Sequence, residues 1–249
     1  MISYKKFSWL LLVIIICCSC SKDAADNSSN SASTGVAGSL SKFTIVGNYL
    51  YAVDNHYLYS YDITDPYNPV NTNTSDMNLD IETIYPFNNR LFIGTRTGLY
   101  IYSIDTPSIP SRISEAHHAR SCDPVVANDS VAFVTLKGNS DCGPAESGLY
   151  IHDIRNIFQP LLIKKVLINS PQGLGLHGNA LYVCCNNEGL KVYNVLDPAN
   201  PVIIRTITGG FFIDVIPFGD LLICYMETGL NLYDISNPMN PTLLTFIAN

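Results

Sequence analysis

Residues Tyr57–Pro69 read YLYSYDITDPYNP: an apolar run, an acidic stop and two spaced prolines. The phrase returns as LYIYSIDTPSIP, LYIHDIRNIFQP, LKVYNVLDPANP and, at Leu230–Pro241, LNLYDISNPMNP. A phrase repeated this often calls for a repeat architecture before any single motif is interpreted. Each copy follows a shorter apolar run (YLYAV, RLFIG, SVAFV, ALYVC, DLLIC) that begins behind Gly47, Asn88, Asn128, Gly178 or Gly219. These anchors are separated by 41, 40, 50 and 41 residues.

Each unit predicts four strands. The short run is one strand and the quoted phrase is the next. Asp65-Pro66, Asp197-Pro198 and Asn237-Pro238 end it, because proline has no N–H for a ladder and restrains the residue before it. A second proline (Pro69, Pro110, Pro160, Pro201, Pro241) opens an edge strand. A run such as IETIYPFN or FFIDVIPFG then leads to the next anchor. The third strand is apolar on both faces, as in Leu99, Tyr100, Ile101 and Tyr102, so each sheet must be covered on both sides. Four-stranded sheets of this length, stacked around an axis, form an all-β, five-bladed β-propeller of antiparallel blades over residues 40–249. The alternative is a set of blades that needs a second chain to close the ring.

The N-terminus has a different logic. In MISYKKFSWLLLVIIICCSC, Lys5 and Lys6 precede an apolar stretch too short to span a bilayer comfortably, which is the pattern of an export signal. Cys17-Cys18-Ser19-Cys20 resembles a bacterial lipobox with Cys20 as the lipidated residue, making residues 1–19 a signal peptide. Ser21-Lys22-Asp23 resembles the export tag of surface lipoproteins in Bacteroidetes-type bacteria. Residues 20–39 are small, polar and aperiodic, and are read as the lipidated cysteine and a flexible spacer. The expected partner of this end is a membrane, reached through the lipid; the expected address is the outer membrane, facing the cell surface or the periplasm. Removing Lys5 and Lys6 from 14 basic residues leaves 12 against 21 acidic, a net charge of −9. Such a surface argues against nucleic acid as a partner.

The phrase ending Y-D-I and running into D-P-x-N-P resembles the LVIVD-repeat family of bacterial and archaeal surface propellers. CDPVVANDSVAFVTLKGNSDCG is similar to a cysteine-containing blade in lipoproteins of that family. The resemblance implies an anchored surface propeller and no particular activity.

Each chemistry-bearing residue takes its meaning from its place in the repeat. The longer third unit carries its insert between Lys137 and Ser147. Cys142 lies in that insert and Cys122 at the start of the same unit's inner strand, so a Cys122–Cys142 disulfide is expected; the alternative is two free thiols. Cys184 and Cys224 are read in one core column, and Cys185 in a column near solvent. His152 replaces a packing tyrosine of other units. Asp62, Asp153 and Asp234 read as turn caps. His117 and His118, with Arg120 and Asp123 close behind, form the richest polar cluster on the face where ligands are expected. Asp80, Glu82, Asp123 and Asp214 are expected around the central channel. No metal site and no cofactor are implied: Cys184-Cys185 lacks a second ligand group at metal spacing. The leading expectation is a non-catalytic binding or scaffold propeller for a glycan or an envelope protein. Its rival is a glycoside hydrolase or lyase using the central carboxylates.

Overall fold

The computed structural model describes residues 38–118, 124–138 and 146–249. Twenty strands form five separate four-stranded antiparallel sheets, each joining neighbours in chain order. Blade 1 contains β1 (Phe43–Val46), β2 (Tyr49–Val53), β3 (Tyr57–Asp62) and β4 (Val70–Asp76). Blade 2 contains β5 (Ile81–Phe87), β6 (Arg90–Thr95), β7 (Gly98–Ser103) and β8 (Ser111–His117). Blade 3 contains β9 (Val125–Ala127), β10 (Val131–Leu136), β11 (Gly148–Asp153) and β12 (Leu161–Leu167). Blade 4 contains β13 (Leu174–His177), β14 (Ala180–Cys184), β15 (Leu190–Asn194) and β16 (Val202–Ile207). Blade 5 contains β17 (Phe212–Phe218), β18 (Leu221–Met226), β19 (Gly229–Asp234) and β20 (Thr242–Ala248). The fold is the five-bladed propeller expected from the repeats.

The repeated phrase has a local chemical explanation. Asp62, Asp153 and Asp234 each accept the N–H two residues ahead (Thr64, Arg155, Ser236), turning the chain as the third strand ends. Asp65 and Asp197 repeat the device three residues on, accepting from the Tyr67 and Ala199 N–H groups. Their second oxygens take the side-chain amides of Asn68 and Asn200, which explains the D-P-x-N spacing. In all five blades the ladder between third and fourth strands shifts register one residue before the aromatic that precedes the cap: Ser60/Tyr61, Ile101/Tyr102, Ile151/His152, Val192/Tyr193 and Leu232/Tyr233. His152 thus occupies the tyrosine position and is buried.

The anchors are tight turns. Gly47, Asn88, Gly178 and Gly219 have φ between 51° and 58°, the left-handed conformation that favours glycine and asparagine. Asn128 instead accepts the Ser130 and Val131 N–H groups in a wider loop, since Ala127 pairs with Ala132.

Apolar clusters fill the seams between consecutive blades. Val46, Tyr51, Val53 and Leu58 of blade 1 meet Ile84, Leu91, Ile93 and Tyr100 of blade 2. Phe92 and Ile101 meet Val125, Ala132 and Val134 across the next seam. Phe133 and Ile151 meet Leu181, Val183 and Tyr193 across the third. Tyr182 and Val192 meet Val215, Leu222 and Tyr233 across the fourth. Full burial of each such side chain contributes roughly 1.5–3 kcal/mol. Hydroxyls stitch two seams further: Tyr51 donates to the Pro107 carbonyl of blade 2, and Tyr182 to the Pro238 carbonyl of blade 5.

Two cysteine expectations are corrected. Cys184 and Cys224 are not in one column. The turn before β18 pairs Phe218 with Leu221, so Leu221 matches Ala180, and Cys224 matches Val183. Cys184 and Cys224 therefore belong to the facing sides of one seam. Cys185, expected near solvent, is buried between blades 3 and 4, because the chain turns sharply there and its N–H bonds to the Gly189 carbonyl.

Candidate functional site

The chain enters the propeller as a strut across its centre. Ser39 is fully buried, and its hydroxyl donates to Asp214 Oδ1 at 3.1 Å while accepting the Leu174 N–H at 2.7 Å. Two residues later the Ser41 carbonyl accepts the Ile84 N–H of blade 2. Residues 38–41 thus tie the inner strands of blades 4 and 5 to that of blade 2. Gly173 packs so closely on Asp214 that an added Cβ would stand 2.0 Å from Oδ1. Burial pushes the Asp214 carboxyl up to about 6, opposed by hydrogen bonds from the Val215 N–H, the Ser39 hydroxyl and the Leu40 N–H. Asp214, on the inner strand β17, holds the chain's own strut.

A separate polar depression opens between blades 1 and 2. It encloses about 340 Å³ and is lined by Lys42, Asn55, Asp80, Ile81, Glu82 and Arg96. Lys42 precedes β1, Asn55 joins β2 to β3, Asp80 begins the entry to β5, and Arg96 joins β6 to β7. These connections share one edge of the sheets, the edge on which ligand contact is expected. Arg96 Nε stands 3.1 Å from Glu82 Oε1, and Lys42 Nζ donates to the Ile81 carbonyl at 3.2 Å. The Arg96 N–H bonds to the Asp80 carbonyl, holding the turn on the strand entry. His56 flanks the site, its Nδ1 3.1 Å from the Leu79 carbonyl. Two cations and two carboxylates, on backbone fixed by ladder hydrogen bonds, give a charge-balanced recess suited to a ligand rich in hydroxyl or amide groups.

Of the residues singled out from sequence, Asp80 and Glu82 are brought together here. His117 ends β8, the outermost strand of blade 2, where its Nε2 lies 3.0 Å from Glu115 and its ring meets Tyr100 edge-on. Three strand spacings, about 14 Å, separate β8 from β5. His118 donates its N–H to the Thr97 carbonyl. Arg120, Asp123, Cys122, Cys142 and Cys20 lie outside the described residues. Asn55 and Arg96 were missed by sequence reasoning; the one available signal was that Arg96 is a charge in the turn joining two apolar strands. Two further depressions, of about 380 and 390 Å³, lie around Asp153 and Arg155 on the opposite edge, lined largely by the capping turns.

Cys184, Cys185 and Cys224 are free and buried, and burial raises all three thiols, Cys185 to about 12, so none is a ready nucleophile. Burial, and next the charge of His118, pushes His152 down to about 4, which keeps it neutral at pH 7. Among the described residues no group of three or more His, Cys, Asp or Glu side chains is arranged to hold a metal ion.

Fold and recess together define a β-propeller with a polar recess at an inter-blade edge. The LVIVD repeat model matches residues 37–76 and 223–247, which carry blade 1 and most of β18–β20, and supports the repeat family. No curated protein matches the chain. Among solved structures, a protein from Lactobacillus plantarum is similar with a TM-score of 0.65 at 14% identity, over 83% of this chain and 74% of that one. The periplasmic gluconolactonase PpgL of Pseudomonas aeruginosa is similar with a TM-score of 0.59 at 12% identity, over 81% of this chain and 68% of that one. AztD of Citrobacter koseri gives 0.55 at 14% identity, and this chain spans 61% of its length. At such identities the shared property is the fold.

Proposed function

We propose that this chain is a non-catalytic binding or scaffold propeller, tethered outside the cytoplasm through lipidated Cys20 and presenting the recess between blades 1 and 2 to a glycan or protein ligand. The observation that carries this reading is the recess itself: Lys42, Asp80, Glu82 and Arg96 offer donors and acceptors of both signs on rigid strand ends. Asp214 supports it from the other side, because three donors of the chain already engage the carboxylate that a central acid–base pair would need. The exported, Bacteroidetes-type lipoprotein origin rests on the N-terminal residues.

The experiment is a binding screen of the purified chain against immobilised polysaccharides and envelope extracts. It is repeated with Lys42→Ala and Asp80→Ala, two exposed positions whose replacement leaves the blade cores intact. Loss of binding in both variants supports the recess as the ligand site. Unchanged binding moves the site elsewhere.

A further inference from the structure

One of the five seams between blades is unlike the rest. On the face each blade turns toward the next, the positions of Tyr51, Phe92, Phe133 and Tyr182 are fully buried, whereas the matching Ile223 of blade 5 is only half-buried. Two residues on, Val53, Thr135 and Cys184 are buried, and Tyr225 is 48% exposed. The opposite face shows the mirror of this pattern. Leu91, Ala132, Leu181 and Leu222 are buried, and the matching Leu50 of blade 1 is only half-buried. Beside Leu50 and Ala52, Ile45 and Phe43 are 46% and 63% exposed. Among the described residues, apolar clusters join blades 1–2, 2–3, 3–4 and 4–5, and none joins blade 5 to blade 1. That gap is bridged at its inner end by the strut, where Gly38 lies against Asp214 and Ile216.

The open faces are large and apolar. Blade 1 offers Phe43, Ile45, Leu50, Tyr57, Tyr59 and Tyr61, the tyrosines forming a ladder with ring centroids 6.0 and 6.4 Å apart. Blade 5 offers Phe218, Leu221, Ile223, Tyr225, Leu230 and Leu232. Contiguous apolar faces of this kind mark association surfaces. Four filled seams in the same molecule show what such a face accepts: the opposite face of another repeat blade. We infer that the occupant is a second copy of this chain, the blade 5 face of one molecule packing on the blade 1 face of the next. The contact joins two different surfaces, so it is head-to-tail, and it propagates unless the rotation closes a ring.

The test is sedimentation velocity of the full chain in mild detergent over a broad concentration series. It includes one variant blocked on blade 1 (Phe43→Glu with Ile45→Glu) and one blocked on blade 5 (Phe218→Glu with Tyr225→Glu). All four positions are exposed, so the substitutions leave the filled seams untouched. The unmodified chain is expected to form a ladder of oligomers that grows with concentration. Each variant alone is expected to be monomeric, and an equal mixture of the two to form dimers and nothing larger, since only one complementary pair of faces remains. The mixing result also excludes misfolding as the cause of either monomer. A monomeric unmodified chain at all concentrations overturns the inference, as does a mixture of variants that stays monomeric.

Discussion

The Ser39 hydroxyl stands 3.1 Å from the Asp214 carboxylate, 175 positions further along the chain. This contact, with the Leu174 N–H on the same hydroxyl, joins the first described residues to the inner strands of the last two blades. Ser39→Ala removes a donor and an acceptor at a fully buried site. Leaving such partners unsatisfied costs roughly 1–3 kcal/mol. The expected outcome is a lower urea midpoint with an unchanged slope at pH 7.

Asp214 makes stability depend on pH in an unusual direction for a carboxylate. Its folded pKa, about 6, lies above the reference value of 3.8. The folded state therefore binds the proton more tightly, and this contribution is complete below pH 3.8 and lost as pH rises through about 6. Relative to Asp214→Asn, the unmodified protein is expected to gain on the order of 2–3 kcal/mol as pH falls from neutrality through that window. Paired urea titrations at several pH values check the difference; a constant offset between the proteins contradicts it.

Gly173→Ala tests the packing under the same carboxylate. The new Cβ would meet Asp214 Oδ1 at 2.0 Å and its Cα at 2.8 Å. A side-chain oxygen can rotate away, but the Cα belongs to a paired strand and cannot. Overpacking of this type costs about 1–3 kcal/mol. Thermal unfolding should show the loss, and adding Asp214→Ala should relieve only part of it.

The seam hydroxyls give a graded test of the blade-to-blade contacts. Tyr51→Phe and Tyr182→Phe keep the ring and delete one hydrogen bond each, to Pro107 and Pro238. Each is expected to cost about 0.5–1.5 kcal/mol. The pairs lie in different seams, so their effects should add in the double variant. Chemical denaturation of the three variants measures this.

The architecture was legible because its cause is local. Asp62, Asp65, Pro66 and Pro69 act within a few residues of themselves, so the phrase they spell reports the turn they build. Asp80 and Glu82 could be placed together because they start the same strand. The strut was not legible. Gly38 and Ser39 have the composition of a spacer, and nothing in them encodes a partner on β17. The open seam was hidden for a different reason: Leu50 and Ile223 are as apolar as their buried counterparts, and an apolar residue looks the same whether or not its cover is present. The Cys224 assignment failed because one residue of slippage behind Gly219 moves a side chain to the opposite face of its strand.

The central claim is that the recess lined by Lys42, Asp80, Glu82 and Arg96 binds without chemistry. Its most direct measurement follows the chain length and new reducing ends of whichever polysaccharide the unmodified protein retains, alongside Asp80→Asn and Glu82→Gln. Retention with unaltered polymer length, and weaker retention in the variants, is the predicted result. Steady release of shortened or unsaturated products by the unmodified protein, abolished in either variant, would contradict the claim and make the recess an active site.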